Sequence, residues 1–308
     1  MLNFDPLLGP NPGLIPISNS EMGTYKECKR KWWLSYYLGL ESNKPKLTGP
    51  LAFGTRMHRC LELLYKEGID PIQTHDELLK EAYVQYGLLG NEDTSDLDKD
   101  AELGRIMLEG YMEWLEESGV DSGLTVTDTE KKLTATLLDG RVEVRGKIDM
   151  RVLRNQDGAR RILDFKTLAQ FPTYKDTAHL AEQLKLYILL EHMNKDNEED
   201  VVDGAIYRLL KKVKRSAKAK PPFYEDFEVR HNKHTLDSFW LSLHGTLSDM
   251  IATRDNLDNG VDPRQVCPPT PSRDCTWKCP FFAACHMVDD GSAVNDYLSD
   301  NFKQNDPY

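Results

Sequence analysis

The stretch 144–167, VRGKIDMRVLRNQDGARRILDFKT, constrains the fold of this chain more than any other segment. Just upstream and through it, Val142, Val144, Ile148, Met150 and Val152 alternate with Arg141, Glu143, Arg145, Lys147, Asp149 and Arg151. A period of two is the mark of a β-strand with one apolar face and one polar face. Asp157-Gly158 supplies a short turn, because glycine tolerates the left-handed conformation a tight reversal needs. After it, Leu163 and Phe165 share one face of a second strand, and Asp164 and Lys166 share the other. Two neighbouring strands are therefore expected to gather Asp149, Asp164 and Lys166 into one polar patch. Alone, an Asp-x-Lys triplet is weak evidence, since a surface aspartate before an ordinary strand end reads the same.

The rest of the chain gives this hairpin its setting. Residues 1–19 are rich in Pro, Gly and Asn and are expected to lie extended on the surface. Ser18, Asn19 or Ser20 can cap a helix running through EMGTYKECKRKWWLSYYLGL. In AFGTRMHRCLELLYKEG, Met57, Leu61 and Leu64 recur at helical spacing and Gly68 stops the helix. More helix is expected to about residue 118, interrupted by the acidic GNEDTSDLDKD. From about residue 124 the chain turns β-rich, with a hairpin turn at Asp139-Gly140. A helix over TAHLAEQLKLYILLEHMN, strands at VVDGAIYRLL and YEDFEVR, and a long helix over HTLDSFWLSLHGTLSDMIATRDN follow.

Composition bounds the function. With 308 residues and a hydrophobic share of 40%, the chain can bury a proper core. No apolar run approaches the roughly 20 residues of a membrane span, and the N-terminus lacks the basic and apolar regions of a signal peptide. Cytoplasmic location and no membrane partner are the expectation. The net charge of −11 argues against a large sequence-independent DNA binder, although a local basic channel can coexist with it. Two basic runs stand out: KECKRKWW at 26–33, and 211–220, where Lys211, Lys212, Lys214, Arg215, Lys218 and Lys220 are six cations in ten positions. A solvated face explains either run about as well as a nucleic-acid contact does.

Two carboxylates beside a lysine suit phosphodiester chemistry. A hard divalent ion wants oxygen ligands and keeps several waters. It offsets phosphate charge and lowers the pKa of a coordinated water. Asp149, Asp164 and the carbonyl of Phe165 can supply the oxygens, and Lys166 can serve the water or the developing charge.

The order of the surrounding motifs resembles the PD-(D/E)XK nuclease superfamily, and within it the RecB-like group. Gly146-Lys147-Ile148-Asp149 and Ile162-Leu163-Asp164-Phe165-Lys166-Thr167 stand where that group has G-x-I-D and D-[YF]-K-T. Gly54 and His58 match its upstream G-x-x-x-H, and Gln183 and Tyr187 its downstream Q-x-x-x-Y. Residues four apart on a helix share a face. The resemblance implies that His58 is a metal ligand or neighbour, and that Gln183 and Tyr187 position Lys166 and the nucleic-acid strand. Glu130, on the strand before Asp149, matches an acidic position often seen there. Taken singly, His58 reads as an interfacial histidine and the Gln/Tyr pair as an ordinary helix face.

Six cysteines, unevenly placed in a chain of this kind, argue against a disulfide framework. Cys28 near one end and Cys275, Cys279 and Cys285 in CTWKCPFFAAC resemble the iron–sulfur members of the RecB-like group. These include the nuclease domain of AddB-type helicase–nucleases and the CRISPR-associated adaptation exonucleases. The resemblance implies Mg²⁺ or Mn²⁺ and an iron–sulfur cluster of the 4Fe–4S kind, held by four thiolates. The three residues between Cys275 and Cys279, where two are commoner, leave structural Zn²⁺ as the alternative. Cys60 reads as buried core, and Cys267 as a bystander or substitute ligand.

The resemblance spans residues 20 to about 288 and implies an α/β fold with a restriction-endonuclease-like core. That means a central mixed sheet flanked by helices, a helical N-terminal part, and a cysteine-ligated cluster joining the chain ends. The expected organisation is a single nuclease unit over 1–308. Within it, 20–40 and 266–288 are cluster-binding segments, 51–120 the helical part, 124–230 the nuclease core and 290–308 an acidic tail. No Walker-type G-x-x-x-x-G-K-[ST] occurs, so a stand-alone nuclease is expected. The resemblance implies an exonuclease acting on single-stranded DNA or free ends in replication, recombination or repair, as in phage and CRISPR settings. The competing readings are a non-catalytic single-strand or DNA-end binding protein, and a zinc-stapled interaction module.

Overall fold

The computed structural model describes residues 13–44, 46–90, 93–198 and 201–306. Residues 1–12, expected to be extended, lie outside these. The chain forms two compact units: Met1–Pro45 with Thr134–Gly146 and Asp237–Tyr308, and Lys46–Leu133 with Lys147–Leu236.

The first unit opens with strand β1 (Ile15–Ser18), which pairs in parallel with Val142 to Arg145. Pro, Gly and Asn around it hide this strand from sequence reading, yet Ile17 is fully buried. Ser18 then caps helix α1 (Asn19–Glu27), its hydroxyl accepting the Glu21 N–H at 3.2 Å. The expected long helix is broken at Cys28, whose backbone is extended (φ −161°, ψ 112°). Its N–H still reaches the Thr24 carbonyl at 2.9 Å, and its own carbonyl accepts the Trp32 N–H at 3.0 Å. Cys28 thus ends one helix and starts the next, α2 (Lys29–Trp32), which runs into a π-turn over Trp33–Tyr37. Strand β2 (Leu40–Ser42) follows.

The second unit begins with three helices: α3 (Pro50–Glu67), α4 (Pro71–Leu88) and α5 (Ser95–Ser118). Pro50 and Pro71 occupy first helical turns, where a missing N–H costs nothing. Gly68 ends α3 at φ 70°, as its place in the sequence suggests. Strands β3 (Leu124–Leu137) and β4 (Val142–Arg154) form the expected hairpin, and β5 (Arg160–Leu168) follows the turn at Gly158, φ 68°. Val142, Val144, Ile148, Met150 and Val152 are all buried, as the alternation requires. Helix α6 (Phe171–Thr177) precedes α7 (Glu182–Met193), so the helix expected from residue 177 begins five residues later. Strands β6 (Val202–Lys211) and β7 (Tyr224–Arg230) complete the sheet.

Within this unit β4 runs antiparallel to β5, β5 parallel to β6, and β6 antiparallel to β7, with β3 beside β4. The sheet is therefore mixed. Phe53, Met57, Cys60 and Leu61 of α3 and Met107, Leu108 and Tyr111 of α5 pack against Met150, Val152, Leu163, Phe165, Ile206 and Leu210. Helix α7, which contacts β6, buries Leu184, Leu186, Ile188 and Leu190.

Helix α8 (Lys233–Asp258) enters the first unit at Asp237, and α9 (Pro263–Val266), α10 (Cys275–Lys278), α11 (Phe282–Asp290), α12 (Val294–Asn301) and β8 (Phe302–Gln304) close that unit. The acidic 290–308 segment is folded in its described residues: β8 pairs antiparallel with β2, and Leu298 is fully buried. Among the described residues no helix is long and apolar enough to cross a membrane.

Candidate active site

Strand geometry assembles the polar patch. Alternation along β5 sends Leu163 and Phe165 into the helical core and leaves Asp164 and Lys166 on the opposite face. The β4–β5 register covers Met150↔Leu163 to Leu153↔Arg160, and Asp149 lies just beyond it. There its carboxylate takes up a backbone donor: Asp149 Oδ2 accepts the Phe165 N–H at 3.0 Å. Helix α3 brings His58 to the same oxygen, Nδ1 to Oδ2 being 3.3 Å. Its close approach to the strand end is visible at Gly54, where a Cβ would meet Thr167 Oγ1 at 3.8 Å.

The two carboxylates differ in electrostatic setting. Burial raises the Asp149 pKa, but the His58 hydrogen bond and charge, the Phe165 N–H and Lys166 outweigh it and hold this carboxyl below its ordinary value. Burial dominates at Asp164, which is 4% exposed, and with the Asp149 charge it lifts that carboxyl above the ordinary value despite Lys166. Burial alone would depress His58; the hydrogen bond and charge of Asp149, with the charge of Asp164, raise it instead. Lys166 Nζ lies 2.5 Å from Asp164 Oδ2 but off the hydrogen-bonding direction, so this buried oxygen has a charge contact and no hydrogen bond.

Lys166 is held on a second side by α7. Its ammonium donates to Gln183 Oε1 at 3.3 Å, and Gln183 Nε2 donates to the Tyr187 hydroxyl at 2.9 Å. The spacing of four that marked this pair in the sequence thus becomes one tether. Tyr207, the register partner of Asp164 on β6, places its ring 5.9 Å from Lys166 Nζ, and Tyr174 of α6 stands edge-on to it at 5.4 Å. Sequence reading missed both tyrosines, because Tyr207 is buried on a strand and looks like core, and Tyr174 lies on a short helix outside every motif. Glu130, at φ 53° in β3, pairs with Lys147.

Behind Phe165 stands a buried arginine that the sequence did not announce. Arg208 is fully buried. It donates to both Asp226 oxygens at 2.8 Å, to Asp121 at 2.6 Å, to Tyr65 at 2.8 Å and to Tyr111 at 3.2 Å. Tyr65 in turn lies 5.8 Å from the Phe165 ring. The basic run divides. Lys211 donates to the Lys220 carbonyl, Lys214 pairs with Glu102, and Arg215 donates to the Tyr224 hydroxyl. Lys212 lies 4.2 Å above the Phe53 ring, its N–H on the Leu168 carbonyl, while Lys218 and Lys220 are exposed.

In the first unit Cys28 comes near the C-terminal cysteines. Its sulfur accepts the Thr270 N–H at 3.4 Å, and the Cys275 sulfur accepts the Ser272 N–H at 3.3 Å. Burial raises the Cys279 and Cys285 thiols, and the field of Cys28 adds to it at both. Cys267 is fully buried and pushed up to about 12 by burial, which keeps it a thiol. Cys60 belongs to the core of the second unit and is likewise pushed up to about 12 by burial.

Among the described residues no three His, Cys, Asp or Glu side chains converge as a metal-holding group. The donor chemistry nevertheless fits. Asp149 and Asp164 offer hard oxygens, one of them buried without a hydrogen bond, and an ion such as Mg²⁺ completes its shell with water. Four free thiols, two of them accepting backbone N–H groups, suit a thiolate-bound centre.

Comparison with known proteins bears on this geometry. The family model of the PD-(D/E)XK nuclease superfamily matches residues 16–286. The B subunit of the ATP-dependent helicase/deoxyribonuclease of Streptococcus agalactiae serotype III is 28% identical over 214 residues, 67% of this chain and 19% of that protein. The protein of the same name from Streptococcus mutans serotype c is 25% identical over 199 residues, 63% of this chain and 18% of its own length. The chain thus spans about a fifth of the length of these curated relatives. A crystal structure of an inferred exonuclease from Eubacterium rectale superposes with a TM-score of 0.45 and 13% identity, over 79% of this chain and 81% of that one.

Proposed function

The chain belongs to the PD-(D/E)XK nuclease superfamily, and from that premise we propose that it hydrolyses DNA phosphodiester bonds with Mg²⁺ or Mn²⁺, working inward from free ends. The observation that carries the proposal is one run of side-chain contacts. His58 meets Asp149, and Asp164 meets Lys166, which is tethered through Gln183 to Tyr187.

Asp149 and Asp164 would hold the metal, with the Phe165 carbonyl as a further oxygen and His58 as ligand or neighbour. When bound, the ion supplies neutralisation of phosphate charge and a lower pKa for a coordinated water. The residues of the chain do the positioning. His58 and the Phe165 N–H keep Asp149 ionised and fixed in direction. Asp164, buried and met by Lys166 through a charge contact without a hydrogen bond at Oδ2, would be further neutralised by a bound cation. Lys166 presents a fixed ammonium to the charge that develops on the phosphate, and its tether removes the freedom it would otherwise lose in the transition state. The cations of 211–220 would receive the DNA backbone, Lys212 nearest the strand end that carries Lys166. The 308 residues hold no Walker-type sequence, so cleavage by this chain is proposed to need no ATP.

The cysteines would hold an iron–sulfur cluster through Cys28, Cys275, Cys279 and Cys285, with zinc as the competing occupant. Backbone N–H groups directed at the Cys28 and Cys275 sulfurs support this reading. Iron and acid-labile sulfide with broad visible absorption would support the cluster, and one tightly held zinc in a colourless protein would replace it.

The test of function is digestion of end-labelled single- and double-stranded linear DNA beside closed circles, with Mg²⁺, Mn²⁺ or EDTA. Linear substrates should be degraded with either metal and circles spared. Cutting of circles would make the enzyme an endonuclease; intact linear DNA under all metal conditions would refute the assignment.

A further inference from the structure

Arg30 lies two residues after Cys28 in α2 and is 1% exposed, yet the proposed reaction gives it no task. All three of its nitrogens are engaged, and all by atoms of the C-terminal cysteine segments. Nε donates to the carbonyl of Cys267 at 2.9 Å. Nη1 donates to the carbonyl of Cys285 at 3.3 Å and reaches Asp289 Oδ2 at 3.4 Å. Nη2 donates to Asp289 Oδ1 at 3.1 Å. These contacts join positions 237 to 259 residues apart in the chain.

A guanidinium taken out of water without partners is strongly disfavoured. Segment 28–32 can therefore keep its place only while 267 and 285–289 keep theirs. The planar fork matters, because three directions are satisfied at once and a lysine ammonium cannot reproduce them. One of the carbonyls belongs to Cys285, and the other to Cys267, whose own buried thiol is poorly suited to ligation. The arginine thus grips the backbone at the cysteines and leaves the sulfur atoms unencumbered.

We propose that Arg30 is the positioning residue of the cysteine site: it closes segment 28–32 onto 267–289 through protein atoms alone and sets Cys28 beside Cys279 and Cys285 before any metal arrives. The relevance to ligation rests on the cysteine reading given above; the closure itself does not. In many small metal sites the ion organises the fold. Arg30 would reverse that order, because its contacts to Cys267, Cys285 and Asp289 involve protein atoms only.

Hydrogen exchange on the full chain, as purified and after chelator stripping, tests this, with Cys28 alkylation as a second readout. In the stripped wild-type chain, amides of 29–32 and 282–290 should stay protected. Arg30→Lys, stripped, should lose protection in both segments and alkylate Cys28 faster, each by at least about tenfold, as expected for losing charge-assisted hydrogen bonds. Stripped Cys28→Ser should keep wild-type protection. If Arg30→Lys does not fold, Asp289→Asn decides, since it spares both carbonyl contacts and should loosen the same two segments to a smaller degree. Stripped wild-type protein that exchanges as fast as Arg30→Lys, or variants indistinguishable from wild type, would overturn the proposal. A protein purified with no metal at all would remove the ligand reading while leaving the exchange result to judge Arg30.

Discussion

The carboxylate patch and the cysteine site are organised in different ways. In the patch, functional side chains touch one another directly: His58 on Asp149, Lys166 on Asp164 and Gln183. Asp164 and Lys166 sit on one strand of a paired sheet, so their spacing is set by the pleat. The thiols sit on an extended break, short helices and loops. What holds them is indirect: backbone N–H groups on sulfur and one arginine on backbone carbonyls. A sheet positions side chains by itself, whereas a site built on short irregular segments needs cross-links.

This contrast can be broken or sharpened, beginning with the largest expected effect. Each region has a buried arginine, but Arg208 is compensated by two carboxylates and two tyrosines, and Arg30 by one carboxylate and two carbonyls. Arg208→Met strands Asp121 and Asp226 and should cost about 3–5 kcal/mol of folding stability by urea denaturation. Lys214→Ala, which breaks an exposed pair with Glu102, should cost no more than about 1 kcal/mol. Equal losses would show that Arg208 is not a hub.

Asp164→Asn should separate activity from stability. Cleavage should fall by about 10²–10³-fold, some 3–4 kcal/mol of transition-state stabilisation. Stability should hold or rise, because a neutral amide replaces a carboxylate that burial disfavours. A melting temperature that falls together with activity would make Asp164 a structural residue. Gln183→Leu leaves Lys166 in place but cuts its tether, and should lower kcat by about tenfold, as removal of a supporting hydrogen bond commonly does. An unchanged kcat would mean that the salt contact with Asp164 positions Lys166 unaided. The smallest effect concerns the basic run. Reversing Lys212, Lys214 and Arg215 together should weaken DNA binding and reduce its salt slope by about one for each phosphate no longer neutralised. An unchanged slope would return 211–220 to a solvated face.

Much of the patch was legible because its signals are local. Alternation over 142–152 showed which side of β4 is buried and Asp157-Gly158 marked the turn, whereas His58, Gln183 and Tyr187 were picked out only by their resemblance to family motifs. What escaped the sequence depends on partners far along the chain. Ile15–Ser18 is too short to show alternation and becomes a strand through Val142 to Arg145. Arg30 stands among lysines in a run that reads as surface, and only Cys267, Cys285 and Asp289 account for its burial. Arg208 occurs in the apolar stretch Ala205–Leu210 of β6, where its charge gives no hint of Asp121 and Asp226. Tyr207 reads as core until its register against Asp164 is known.

The central claim is that Asp149, Asp164 and Lys166 form a metal-dependent nuclease site, and Lys166→Met tests it most directly. The measurement is the single-turnover rate of Mg²⁺-dependent cleavage of end-labelled linear DNA, on protein whose melting temperature matches the wild type. Lys166→Met should cleave at no more than about one hundredth of the wild-type rate, and wild-type cleavage should vanish in EDTA. A folded Lys166→Met that cuts at the wild-type rate, or wild-type digestion that persists in EDTA, would contradict the account.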